Sequence, residues 1–275
     1  MNKTATRRHP EEYRLQGHWL LAKLGKRVLR PGGIELTRQL LGAAAPTEGD
    51  DIVELGPGVG RTAELLLAAA PASYTGVDPH PEGRSQLDTV LGGRPNARCV
   101  TADATDTGLP SSSADLVVGE AMMSMLGSPD KHNVVAEAAR ILRPGGRYAI
   151  HELAFRPDDV PAAVVNEVSK ELSRTIKVGA RPLTIAGWSS LLEANGLTVA
   201  WTASAPMRLV DPSRILRDEG LRGAARFFGN VITNKPARER VRRMRAVFHR
   251  HSHHLAGVGI VAVKHTGKVT HDHSH

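Results

Sequence analysis

The sequence predicts an α/β fold: a doubly wound, mostly parallel sheet of seven strands with a helical cap. Three observations carry this. Through the middle of the chain, short β-type runs alternate with runs of helical period, as they do when helices cover both faces of a parallel sheet. A glycine-rich turn, "DIVELGPGVGRTAELL" at 51–66, joins the first such strand to its helix. Some fifty residues of basic, helix-period sequence separate the last two strands.

The strands read as "DIVELG" (51–56), "SYTGVD" (73–78), "ARCVTA" (97–102), "ADLVVGE" (114–120), "RYAIHEL" (147–153), "LTVAWTAS" (197–204) and "GVGIVAVK" (257–264). Helical stretches between them include 61–70, 81–91, 130–142 and 184–195; Pro71, "RPGG" (143–146) and "NG" (195–196) read as stops. "RPGG" also occurs at 30–33 and reads there as the same helix stop plus turn, with no longer repeat around it. In 205–256, Val241, Met244, Phe248 and Leu255 step at helical spacing. The expected organisation is an N-terminal helical arm (1–47), a core (48–204), a cap insertion (205–256), the last core strand (257–264) and a His-rich, disordered tail (265–275). Arm and insertion are expected to lie together over the carboxyl edge of the sheet.

Charge is unevenly spread. Residues 1–33 carry eight Lys/Arg against two acids, 34–204 fourteen against twenty-one, and 205–250 twelve against four. The basic ends read either as a nucleic-acid footprint or as solvated helical appendages. Cys99 is the only cysteine, so no internal disulfide forms and a reducing cytosol is the expected compartment. No apolar run reaches the roughly 18 residues of a membrane span, and the N-terminus lacks the apolar segment of a signal peptide.

The glycine turn departs from the dinucleotide pattern G-x-G-x-x-G. Counted from Gly56, the third glycine should fall at position 61, which is Arg61. Glu54 at the strand end would repel a pyrophosphate but suits a ligand with positive charge. S-adenosylmethionine has no phosphate and brings an ammonium and a sulfonium. Asp78 ends the second strand, 22 residues after Gly56, where a carboxylate takes both ribose hydroxyls. Asp103 ends the third, where it either accepts from an adenine amino group or caps a helix. Glu120 stands at the end of the fourth.

The order "VELGPGVG…TGVD…TADAT…LPSSSADLVV…EAARILRPGGRYAIHEL" resembles the class I S-adenosylmethionine-dependent methyltransferases. The likeness is to the small-molecule "type 11", ubiquinone/menaquinone-methyltransferase-like branch, over roughly residues 48–155. The resemblance implies that Glu54 with Gly56, Pro57, Gly58 and Gly60 holds the methionine moiety. It further implies that Asp78 with Pro79 holds the ribose, Asp103 with Ala104 the adenine, and that Glu120 belongs to the same site. The long insertion before the last strand departs from the family's usual tight hairpin.

Methyl transfer from a sulfonium is an in-line displacement, for which positioning supplies much of the rate. An acidic acceptor would use a base. Glu120 and His151, at the ends of strands four and five, are the candidates; His151 reads more readily as a hydrogen-bonded core histidine. Met122, Met123, Phe155, Phe227 and Phe228 are available for an apolar acceptor pocket, with Arg208, Arg214 and Arg217 as partners for an anionic group. The histidines at 249–254 and in "HDHSH" lack paired Cys or carboxylates at ligand spacing, so no metal site is expected. The expected partner is a small, largely apolar methyl acceptor. A nucleic-acid acceptor is disfavoured, because "GEAMMSML" replaces the Asn/Asp-Pro-Pro-aromatic run of base N-methylating enzymes. Only ten aromatics serve 275 residues. A non-catalytic S-adenosylmethionine-binding module is the other alternative. Oligomeric state and the methylated atom stay open.

Overall fold

The computed structural model describes residues 15–265. Seven strands form one sheet in the order β3-β2-β1-β4-β5-β8-β7. They are β1 (Asp51–Leu55), β2 (Ser73–Val77), β3 (Ala97–Val100), β4 (Ala114–Glu120), β5 (Leu142–Phe155), β7 (Leu197–Pro206) and β8 (Leu255–Lys264). The first five run parallel, while β8 is antiparallel to both β5 and β7. A two-residue β6 (Leu183–Thr184), not evident in the sequence pattern, adds to the end of β5.

The near-continuous apolar runs of β1 and β4 are those of strands covered on both faces. One face packs on α5 (Ser128–Ile141) and α7 (Ile185–Glu193), through Val134, Val135, Ala138, Trp188 and Leu192. The other packs on α2 (Gly33–Ala44), α3 (Arg61–Leu67) and α4 (Arg84–Leu91), through Leu40, Ala63, Leu66 and Leu87. Burying each such Leu is worth about 1.5–3 kcal/mol.

A third apolar cluster stands over the carboxyl ends of the strands. It joins α1 (Gly17–Lys23), α6 (Ala162–Ile176), α8 (Pro212–Thr233) and α9 (Lys235–Arg250). Leu20 and Leu21 meet Val168 and Leu172, with Phe227, Val241, Met244 and Phe248 in the same cluster. Helix α6 lies inside the span expected to be core, yet it packs with the cap, because Val168 and Leu172 turn toward α1 and α9 rather than the sheet.

The two "RPGG" stretches are used differently. At 143–146 the tetrapeptide follows α5 and lies in β5. At 30–33 it opens a helix instead of stopping one: Gly32 is the N-cap of α2 with φ 80°. The chain there lies so close to β8 that a Cβ on Gly257 would sit 2.5 Å from the Pro31 carbonyl oxygen.

Candidate active site

The turn after β1 works through backbone conformations that side chains resist. Gly56, Gly58 and Gly60 have φ of 68°, 54° and 78°. Gly56 N donates to the Val77 carbonyl at 2.8 Å, and Gly60 N to the Pro57 carbonyl at 2.9 Å. The turn thus curls over the end of β2. Gly56, Pro57 and Gly58 line a cavity of about 1000 Å³ above the strand ends. Gly60 does not line it. Gly60 caps α3, and a Cβ there would meet Val90 at 3.1 Å, so its smallness serves packing against α4.

The cavity floor continues through Asp78 and Pro79 after β2, Asp103 and Ala104 after β3, and Glu120, Ala121 and Met122 after β4. Its roof is apolar and comes from every cap element except α8. Trp19 and Leu21 come from α1, Leu29 from the arm, Leu172 and Ile176 from α6, Met207 and Leu209 from the chain after β7, and Met244 and Phe248 from α9.

Asp78 braces the loop: one carboxylate oxygen accepts from Gly58 N at 3.2 Å and the other from His80 N at 3.0 Å. Asp103 caps no helix. Its Oδ1 accepts from Thr105 N (2.8 Å) and Oγ1 (2.7 Å), a local turn that holds its carboxyl below the usual range. Glu54 departs from expectation. It is not on the cavity wall; its carboxyl is buried and accepts from the Tyr74 hydroxyl at 2.6 Å. Burial pushes it up to about 8, against the opposing hydrogen bond from Tyr74, so near neutral pH it holds a proton.

Glu120 and His151 are register partners on β4 and β5, and neither is placed as a base. Glu120 Oε1 accepts from Thr37 Oγ1 (2.7 Å) and lies 2.9 Å from His151 Nδ1; Oε2 takes Arg30 Nη1 at 2.8 Å and the Thr62 hydroxyl. Burial alone would raise this carboxyl, but Arg30 and then His151 outweigh it and hold it at about 2. A carboxylate held so firmly ionised is a poor proton acceptor. His151 is fully buried, with Nε2 on the Pro31 carbonyl and Nδ1 on Glu120 and Thr37. It is the hydrogen-bonded core histidine, away from the cavity wall.

Arg30, absent from the sequence expectations, is a further charged group at the site. It is buried and on the cavity wall, and its Nε and Nη2 have no hydrogen-bond partner. Buried guanidinium nitrogens are rarely left so, and the fork fits a carboxylate such as the one on the methionine end of S-adenosylmethionine. His18 also lines the cavity; burial and, less strongly, His80 lower it to about 4, so it is a neutral imidazole. Glu152, beside His151 on β5, is wholly buried. It accepts from Met122 N, Met123 N and Ser124 N at 2.8–3.0 Å and from Ser124 Oγ at 2.6 Å, fixing the turn after β4.

Of the expected acceptor residues, only Met122 reaches the cavity wall. Met123, Phe155 and Phe227 are core, and Phe228 packs beside them. Arg214 and Arg217 pair with Glu35 outside the cavity, and Arg208 borders a separate small cleft. His251 pairs with Glu171, and no metal-ligand cluster occurs among the described residues. The histidines of "HDHSH" lie outside the described residues. No described helix is long and apolar enough to cross a membrane.

A family described as a methyltransferase domain matches residues 53–150, the stretch that holds β1 to β5 and the glycine turn. An uncharacterized protein of Haemophilus influenzae is 28% identical over 251 residues, 90% of this chain and 98% of its own. The 27-O-demethylrifamycin SV methyltransferase of Amycolatopsis mediterranei is 30% identical over 156 residues, 52% of this chain and 54% of its own, so the alignment spans about half of that enzyme. Among solved structures, a phosphoethanolamine N-methyltransferase of Haemonchus contortus, in complex with phosphomonomethylethanolamine and S-adenosylhomocysteine, has the same fold. Its TM-score is 0.67 at 14% identity, over 90% of this chain and 57% of that one. By this match residues 53–150 form a methyltransferase domain, and the glycine turn and sheet order give the chain the fold of the S-adenosylmethionine-dependent methyltransferases.

Proposed function

We propose that this methyltransferase acts on a small, largely apolar molecule by in-line displacement, in a reducing cytosol. The observation that carries the reading is the cavity itself: one space bounded below by the strand-end loops and above by a mainly apolar roof in which His18 is a polar group. Bound S-adenosylmethionine supplies an electrophilic methyl group on a sulfonium. Gly56, Pro57, Gly58 and Arg30 hold its methionine end, Asp78 and Pro79 the ribose, and Asp103 and Ala104 the adenine.

The roof residues Trp19, Leu172, Met244 and Phe248 exclude water and orient the acceptor, which is how positioning lowers the barrier. Glu120 holds the Arg30 guanidinium beside the cavity. His18, a neutral imidazole among apolar neighbours, accepts a hydrogen bond from an acceptor hydroxyl or N–H. The alignment with the rifamycin methyltransferase agrees with an organic acceptor of moderate size.

The test is transfer of labelled methyl from S-adenosylmethionine to a panel of apolar phenols, carboxylic acids and amines, with RNA and DNA alongside. Turnover of a panel member that falls when Met244→Glu charges the roof supports the reading. Methylation of nucleic acid alone, or cofactor binding with no turnover of any acceptor class, overturns it.

A further inference from the structure

The large apolar side chains left in solvent among the described residues all stand on α8: Leu216, Leu221 and Ile232, at 44%, 79% and 66% exposure. Gly220 (φ 69°, ψ 178°) breaks this helix, and the part beyond it, 221–233, has two different faces. Inward lie Ala224 and Phe227, with Asn230 donating to the Leu24 carbonyl at 3.0 Å. Outward, Leu221, Ala225 and Ile232 fall within about 40° of one another at 3.6 residues per turn. Arg222 flanks that stripe and Arg226 lies further round, its Nε against Gly25 of the arm; neither makes an ion pair among the described residues. Arg238 closes its far end, donating to the Ile232 carbonyl at 3.0 Å. The acids of α8 are turned away: Asp218 holds Lys26, and Glu219 accepts from the backbone of Arg27 and Val28.

We propose that this outer face of α8 docks on an anionic lipid bilayer. Exposed aliphatic side chains beside guanidinium groups are the chemistry of a helix lying in the headgroup plane: the aliphatic tips enter the acyl boundary and the cations stay with the lipid phosphates. A second copy of the chain is a poor occupant, since apposing two such faces sets arginines against arginines with no outward acid on the helix. A nucleic acid would engage the arginines and leave Leu221 and Ile232 in water. The inference is independent of the acceptor, and its failure leaves the proposed reaction untouched.

The experiment is flotation of the full chain with vesicles of phosphatidylglycerol and phosphatidylcholine (1:1) or phosphatidylcholine alone, at physiological salt. The L221S/I232S and R222Q/R226Q variants run beside it. Calorimetric S-adenosylmethionine binding, unchanged in both, confirms that they fold. The expected result is binding to the anionic vesicles that weakens roughly 30-fold when two arginines are removed. Loss of the two aliphatic side chains weakens it by a comparable factor. Absence of vesicle binding overturns the proposal, as does equal binding by all three proteins. Conversion of a dimer to a monomer by L221S/I232S would likewise overturn it and assign the face to a second copy. RNA binding lost only in R222Q/R226Q, without vesicle binding, would overturn it in favour of nucleic acid.

Discussion

Arg30 and Glu120 face each other at 2.8 Å across the junction between the arm and β4, with side chains only 8% and 6% exposed. One side of the guanidinium is spoken for, and Nε and Nη2 on the other are buried beside the cavity without a partner. Arg30→Gln should therefore weaken S-adenosylmethionine binding about 10- to 100-fold, as removal of a charged hydrogen-bond partner does. Arg30→Lys should recover only part of it, because a single ammonium cannot span both partners. Calorimetry on the three proteins decides; an unchanged dissociation constant in Arg30→Gln removes Arg30 from the cofactor site.

Asp78→Ala should weaken S-adenosylmethionine and S-adenosylhomocysteine by a similar factor of about 10 to 100. It also frees Gly58 N, so Asp78→Asn, which can still accept there, separates the two contributions. If both variants bind as the parent does, Asp78 holds no ribose.

Glu54 gives a pH signature. Its carboxyl ionises near 4.5 in the unfolded chain and about 8 when buried, so the native state holds an extra proton between these values. The stabilisation is complete below pH 4.5 and is lost as pH rises through 8. Urea midpoints of the parent should fall across that window relative to those of Glu54→Gln. A cation bound near Glu54 should also expel its proton: at pH 7, binding enthalpies measured in phosphate and in Tris should diverge for the parent and coincide for Glu54→Gln.

His18 has the opposite sign. Its native value of about 4 lies below the ordinary imidazole value of 6.5, so its contribution to stability is present above pH 6.5 and disappears as pH falls toward 4. With a hydroxyl acceptor, His18→Phe should raise KM roughly tenfold, the worth of one hydrogen bond. His18→Gln should largely restore it. Equal kinetics in all three proteins would place His18 outside the acceptor site.

How far the sequence reached follows the range of the forces involved. The strands and the glycine turn were legible to within a few residues, because alternation and positive-φ glycines are local. The position of Asp78 on the cavity floor was legible for the same reason, since it follows its strand at fixed spacing. Arg30 was not: it lies over twenty residues before β1 and meets Glu120 only after the arm folds back along β8. Glu120 and His151 were correctly placed at adjacent strand ends. The groups that satisfy them were not legible, because Thr37, Thr62 and the Pro31 carbonyl come from distant segments. Glu54 shows the converse, a carboxylate whose motif suggested a ligand contact but whose nearest partner is Tyr74 on the neighbouring strand.

The fastening of the arm by Asp218 and Glu219 has a consequence for any attempt to recombine this enzyme with its relatives. Lys26 is wholly buried against Asp218, and the backbone at 27, 28 and 34 is read by the same two acids. A chimera that imported a foreign arm without its matching α8 would leave carboxylates stranded in the interior, and such uncompensated charges typically cost several kcal/mol. Arm and α8 are thus one heritable cassette, separated by almost two hundred residues of sequence, and the arm's share of the roof can be transplanted only by moving both.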